Sequence, residues 1–258
     1  METLVVRKQK QIGWIRFHRP DVRNAVNLAM MGELESVIRE WKKDRDLKAI
    51  VFFGDERAFV SGGDVAEFHQ WTKREEVFPV MRRMGALLEE IAQLDLVTVA
   101  AVEGVAVGGG CEIATSCDFC LASPNARFGM IQVRLGITTG WGGAGRLMRK
   151  IGRSRALSCL LTGKMLNAAE AKELGLVDDL LPQDGFRSHV ERYVERLTEA
   201  PAPVIRAYKQ IARQVESDQV QSTYEIEAEH CAVCWESDEH RLAVESFLNR
   251  TRAKKNNQ

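Results

Sequence analysis

Two glycine-rich segments each follow an apolar, strand-like run and lead into a helical pattern. They are Ala58-Phe59-Val60-Ser61-Gly62-Gly63-Asp64-Val65 and Glu103-Gly104-Val105-Ala106-Val107-Gly108-Gly109-Gly110-Cys111-Glu112. Glycine lets the backbone take strained dihedrals and approach a ligand closely. A helix start then presents free N–H groups and a partial positive charge. Two such N–H groups converging on one point make an oxyanion hole, which stabilises charge developing on a carbonyl oxygen. Tight strand-to-helix turns need the same glycines, so glycine content alone leaves both readings open. Glu112 is either a first-turn carboxylate favoured by the helix end or a proton-transferring group. Asp64 reads first as the N-cap of the helix that follows it.

Other candidates carry less. Gly140-Trp141-Gly142-Gly143-Ala144-Gly145 fits the G-x-G-x-x-G dinucleotide pattern. That pattern needs a preceding strand and an acidic residue about 20 positions on, and residues 134–139 and 163–167 supply neither. Two C-x-x-C spacings, Cys117/Cys120 and Cys231/Cys234, lie too far apart in the chain for a zinc ribbon. Residues 117 and 120 fall in a strand-like run that would turn them to opposite sides. Small buried hydrophobes are the better reading of these cysteines. His18 and His69 sit in no motif and read as structural or exposed.

The elements that must hold these groups are legible from periodicity. Strands are expected at residues 4–7, 12–17, 49–53, 97–102 and 118–122. Leu28, Met31, Leu34, Val37, Ile38 and Trp41 recur at helical spacing behind Asn27, a candidate N-cap. Val80, Met84, Leu87, Leu88, Ile91 and Leu94 form a second stripe. From about residue 168 the pattern is helix after helix, with one weak strand at 177–181. Pro201 opens a new helix, residues 225–235 and 240–250 supply two more, and residues 250–258 read as a basic, frayed end. The 258 residues are 45% hydrophobic, enough for a sizeable core. Lys+Arg and Asp+Glu both number 36, so no global field favours nucleic acid or an anionic membrane. No run approaches the roughly 20 apolar residues of a membrane span, and the first residues do not resemble a signal peptide. A cytoplasmic location is the expectation.

Several short motifs keep a fixed order over residues 12–182. Arg19-Pro20-Asp21-Val22-Arg23-Asn24-Ala25 precedes the two glycine segments. Cys117-Asp118, Phe128-Gly129, Leu135-Gly136, Gly142-Gly143, Arg146-Leu147, Leu161-Thr162-Gly163 and Ala168-Ala169-Glu170-Ala171 with Gly175-Leu176-Val177 follow them. In order and spacing these resemble the R-P-x-x-x-N-A, A-F-x-x-G-x-D and G-G-G-x-E-x-A…C-D motifs of the crotonase (enoyl-CoA hydratase/isomerase) superfamily.

The resemblance implies an α/β spiral of ββα units, spanning residues 1–195 with the active site, and a helical C-terminal module, 196–258, that builds a homotrimer or a dimer of trimers. It implies an acyl-CoA substrate, with the thioester oxygen between the N–H groups of Gly63 and Gly109. Gly63, Asp64, Val65 and Ala66 would line the CoA site, and Arg23 and Ala25 would flank the pantetheine. No metal or redox cofactor is implied. Glu112 matches the first of the two hydratase glutamates, but Gln132 stands where the second belongs. Glutamine can orient water or a carbonyl, yet it cannot donate a proton as a carboxylic acid does. Trp141-Gly142-Gly143, together with Ser61-Gly62-Gly63-Asp64, is more similar to the ethylmalonyl-CoA decarboxylases of the superfamily. The expectation is therefore a thioester-enolate enzyme, hydratase-like first and acting on a short or medium acyl chain. Isomerase, decarboxylase or thioester hydrolase chemistry stands as the alternative. An RNA-binding or scaffold role, the non-enzyme alternative, is disfavoured by the zero net charge.

Overall fold

The computed structural model describes residues 1–217 and 224–255. β1 (Leu4–Gln9) and β2 (Ile12–Phe17) form an antiparallel hairpin, and β2 pairs in parallel with β3 (Ala49–Phe53). β5 (Val97–Val102), β7 (Phe119–Ala122) and β10 (Asp179–Leu180) continue the sheet in the order β1-β2-β3-β5-β7-β10. A second sheet is built from β4 (Ala58–Val60), β6 (Val105–Val107), β8 (Arg127–Gly129) and β9 (Leu166–Asn167). Each turn of chain thus gives a long strand to the first sheet and a short one to the second before a helix returns it. This is the spiral of ββα units implied by the family motifs.

The inner strands β2, β3, β5 and β7 are largely buried on both faces, as expected when helices cover each side. Ile15, Phe17, Ile50, Phe52, Ala100 and Val102 face one core. There they meet Met31, Leu34 and Ile38 of α1 (Leu28–Trp41) and Met84, Leu88 and Ile91 of α3 (Arg74–Ala92). Trp14, Ala49, Val51, Val99 and Leu121 face the other, under Phe186, Val190 and Val194 of α8 (Phe186–Leu197). Asn27 caps α1 as expected, accepting from Met30 N at 3.0 Å.

α2 (Val65–Phe68), α4 (Gly109–Ala114), α5 (Gly143–Ile151), α6 (Arg153–Thr162) and α7 (Ala168–Leu174) fill the connections. α9 (Ala202–Ser217), α10 (Tyr224–Trp235) and α11 (Asp238–Lys255) end the described chain, and α10 packs along α3. α11 continues past the expected frayed point at residue 250; residues 256–258 lie outside the described ones. Cys117 falls in the turn before β7, so it and Cys120 share one core cluster instead of facing opposite ways. Cys111, Cys120, Cys159 and Cys231 are likewise buried. His18 and His69 are exposed.

The early Arg19–Asn24 motif earns its place structurally. Asn24, fully buried at φ 58°, accepts from Arg19 N at 2.9 Å and donates to Ala58 O at 2.8 Å and Phe59 O at 3.2 Å. It therefore ties the motif to β4, one residue before the first glycine loop. Asn24→Ala leaves those groups unpaired inside the protein and puts a Cβ-only residue in a left-handed conformation. A loss of about 2–4 kcal/mol of unfolding free energy is expected by denaturant titration.

Candidate active site

The two glycine loops meet. A Cβ added at Gly108 would lie 3.7 Å from Gly62 Cα, and one at Gly62 would lie 3.7 Å from Gly109 N. Both turns need positive φ, 106° at Gly62 and 54° at Gly108, which only glycine adopts without strain. Val26 clamps the first loop from outside, its N donating to Gly62 O and its O accepting from Asp64 N, each at 2.8 Å. Asp64 caps α2, accepting from Ala66 N and Glu67 N, and receives Arg19 Nη1 at 2.8 Å. The N–H groups of Gly63 and Gly109 donate to no backbone partner across loops or turns among the described residues. Their two loops border one cavity of about 100 Å³.

Glu112, on α4, forms the reactive wall of that cavity and is 2% exposed. Its Oε2 accepts from Trp141 N and Gly143 N, both at 2.9 Å, and its Oε1 from Gln132 Nε2 at 2.9 Å. Burial first, and then the nearby charge of Glu227, push its carboxyl up to about 7; Arg146 and the Gly143 and Trp141 N–H groups pull the other way. A carboxyl poised there can take and return a proton at neutral pH. Gln132 Oε1 is buried with no hydrogen-bond partner. Phe68, Met81, Ile137, Trp141, Cys231 and Trp235 supply apolar walls.

Of the residues singled out from sequence, Gly63, Val65, Gly109, Glu112 and Gln132 line this cavity together. Asp64 and Ala66 sit behind it in the cap of α2, and Ala25 is buried beside the loop. Arg23 is exposed, its carbonyl accepting from Ser61 N at 3.1 Å. Sequence reasoning missed the α10 residues Glu227, Cys231 and Trp235. Their four-residue spacing puts them on one helical face, but nothing local says that the face looks into a site. The dinucleotide-like glycine cluster turns out to be the start of α5, and side-chain carboxylates occupy its N–H groups.

Two glycine loops set beside a carboxyl of raised proton affinity in an apolar pocket, on a spiral of ββα units, are the arrangement of the crotonase fold. Comparisons agree. The family model described as enoyl-CoA hydratase/isomerase matches residues 7–258. A probable enoyl-CoA hydratase of Rhizobium meliloti is 35% identical over 81% of this chain and 80% of its own length. The short-chain-enoyl-CoA hydratase of Clostridium acetobutylicum is 30% identical over 97% of this chain and 96% of its own. The crystal structure of enoyl-CoA hydratase from Bacillus halodurans superposes with a TM-score of 0.87 at 22% identity, over 95% of this chain and 99% of that one. The chain belongs to the enoyl-CoA hydratase/isomerase family and is an acyl-CoA-transforming enzyme of the hydratase-like kind.

The elevated proton affinity of Glu112 has a stability cost with a definite sign. Below its ordinary value of 4.5 the group is protonated folded and unfolded, and nothing is lost. As pH rises from 4.5 the penalty grows, and above about 7 it is complete, at about 3 kcal/mol. Glu112→Gln should therefore gain on the unmodified protein between about pH 5 and about pH 8 in denaturant titrations. A difference that stays flat with pH would show that this carboxyl does not titrate in the folded chain.

Proposed function

We propose that this enzyme hydrates short-chain 2-enoyl-CoA thioesters with a single carboxyl group, Glu112, serving as both base and acid. The observation that carries this is the pairing of Glu112 with Gln132 instead of with a second carboxylate. Water adds through oxygen to C3 while its proton passes to Glu112 Oε1. The displaced π electrons reach the thioester oxygen, and the enolate is held by the N–H groups of Gly63 and Gly109. Glu112 then returns the proton to C2, giving the 3-hydroxyacyl thioester. No metal or redox group is needed for these steps. The same shuttle, taking a proton from C2 and returning it at C4, would shift a double bond.

The cavity of about 100 Å³ supports a short acyl group, being well below the roughly 300–1,000 Å³ of pockets for larger ligands. The CoA portion would stay outside, along the Arg23, Ala25 and Gly63–Ala66 rim. No Lys, Arg or His lines the cavity among the described residues, so a malonyl-type carboxylate would face Glu112 without a counter-ion. That weakens the decarboxylase alternative. A cytoplasmic location belongs to the same reading, supported by six unpaired cysteines. No described helix is long and apolar enough to cross a membrane.

Acetoacetyl-CoA, an enolate mimic, should bind at micromolar concentration, roughly −8 kcal/mol. Crotonyl-CoA hydration should be slow, because a missing general acid typically costs roughly 10²–10⁴-fold. Gln132→Glu should raise it, and Glu112→Gln should abolish it while leaving acetoacetyl-CoA binding nearly intact. Rates typical of two-glutamate hydratases in the unmodified protein would refute the single-carboxyl scheme. Assay of 3-enoyl-CoA and methyl- or ethylmalonyl-CoA in parallel, read by mass spectrometry, separates the alternatives.

A trimer, or a dimer of trimers, is part of the proposal. Tyr208, Ile211, Ile226, Val233, Leu242 and Phe247 stand exposed on the C-terminal helices, more apolar surface than scattered residues explain. On the same helices Tyr224 packs against Gly85 and Trp235 faces the cavity, while the Val215 side chain lies outside the described ones. Light scattering at micromolar concentration should give a trimer or hexamer mass; a monomer would count against it.

A further inference from the structure

The start of α5 is shared by two carboxylates from different parts of the chain. Glu112 of α4 accepts from Gly143 N, and from Trp141 N just before it. Glu227 of α10 accepts from the next two N–H groups, Ala144 N at 3.0 Å and Gly145 N at 2.8 Å, and from the Thr139 hydroxyl. The first three N–H groups of α5 are therefore all occupied by side chains. One and two turns further along α10, Cys231 and Trp235 line the same cavity as Glu112.

We propose that Glu227 is a positioning residue for the reaction: by holding residues 139 and 144–145, it fixes the loop that presents Trp141 N and Gly143 N to Glu112, and so couples the C-terminal helix α10 to the proton-transferring group. Glu227 lies 8% exposed, inside the same low-dielectric region. Several groups among the described residues face the Glu112–Glu227 pair. From α5 comes Arg146, 5% exposed, whose Nη2 donates to Trp141 O. From α3, Glu89 approaches Arg146 at 3.8 Å, and Cys231 comes from α10 itself. Cys111 precedes Glu112 on α4. A buried cation thus lies close enough to both buried carboxyl groups for its charge to act on Glu112. Withdrawing the Glu227 charge should make Glu112 easier to ionise, the direction in which Glu227 acts on it.

The inference rests on Glu112 being the proton-transferring group, so its test is made without substrate. Infrared pH titration of the protonated carboxyl band that Glu112→Gln deletes reports Glu112 directly. In Glu227→Gln, which removes the charge but keeps an acceptor oxygen for the start of α5, the midpoint of that band should move to lower pH, with the thermal transition still cooperative. Glu227→Ala removes the acceptor as well and releases the loop, so Trp141 N and Gly143 N are lost from Glu112 and the midpoint should lie above that of Glu227→Gln; equal midpoints in the two folded variants overturn the positioning role whatever the enzyme turns over. Should Glu227→Gln fail to fold, Glu227→Asp keeps the charge but draws it back by one methylene; a smaller shift in the same direction supports the proposal and no shift overturns it. Activity supplies a separate readout: if crotonyl-CoA is hydrated, the acid limb of kcat/KM should follow the infrared midpoint, with KM little changed. An infrared shift without any hydration would leave Glu227 in its role and remove the hydratase reading instead.

Discussion

A carboxyl group buried in an apolar pocket is the constraint around which this site is arranged. Left without partners, a buried carboxylate costs several kcal/mol. Glu112 is tolerated because three donors converge on it, two of them backbone N–H groups at the start of α5. That convergence dictates local sequence. A Cβ at Gly143 would lie 2.4 Å from Glu112 Cγ, so only glycine lets the helix start come this close. Bringing residue 141 to Glu112 also lays the Trp141 ring over Gly109, where an added Cβ would be 2.0 Å from the indole. The carboxyl, the Trp141 wall of the cavity and the backbone of Gly109 are therefore set by a single packing arrangement.

The parts of the fold that were legible in the sequence are those whose signal is local. β2, β3 and β5 occupy the residues expected, because each is an apolar run buried on both faces. α1 begins where Asn27 can cap it. β4, β6 and β8 went unrecognised because each is only three residues long, too short for a pattern of its own, and β4 and β6 also lie inside glycine-rich segments that read as loop. Such strands exist only by pairing with one another across the spiral, which is tertiary information.

The site divides in the same way. Glu112, Gln132, Gly63 and Gly109 stand in motifs and were found; the structure puts them around one cavity. Glu227 stands in no motif, and its partners lie more than 80 positions away in the chain. A buried glutamate on a helix with almost no amphipathic character offers little to distinguish it from a solvent-facing one. The C-terminal helices thus read as an assembly module, while α10 also reaches into the pocket.

Gln132 follows from the same electrostatics. Glu227 already places a second carboxyl at the helix end that Glu112 uses, with the buried cation Arg146 on the same helix. A glutamate at 132 would set a third within hydrogen-bond distance of Glu112, and like charges that close do not all ionise. The pair would then share a proton, leaving one carboxyl to act as base and the other as acid. Glutamine keeps the hydrogen bond and adds no charge. Its amide is also two-faced. As oriented, Nε2 donates to the ionised Glu112 and Oε1 is left unpaired; turned over, Oε1 accepts from the protonated acid. One neutral side chain can thus pair with either protonation state of Glu112, as the single-carboxyl scheme proposed above requires, and without the second acid that a two-glutamate site would have.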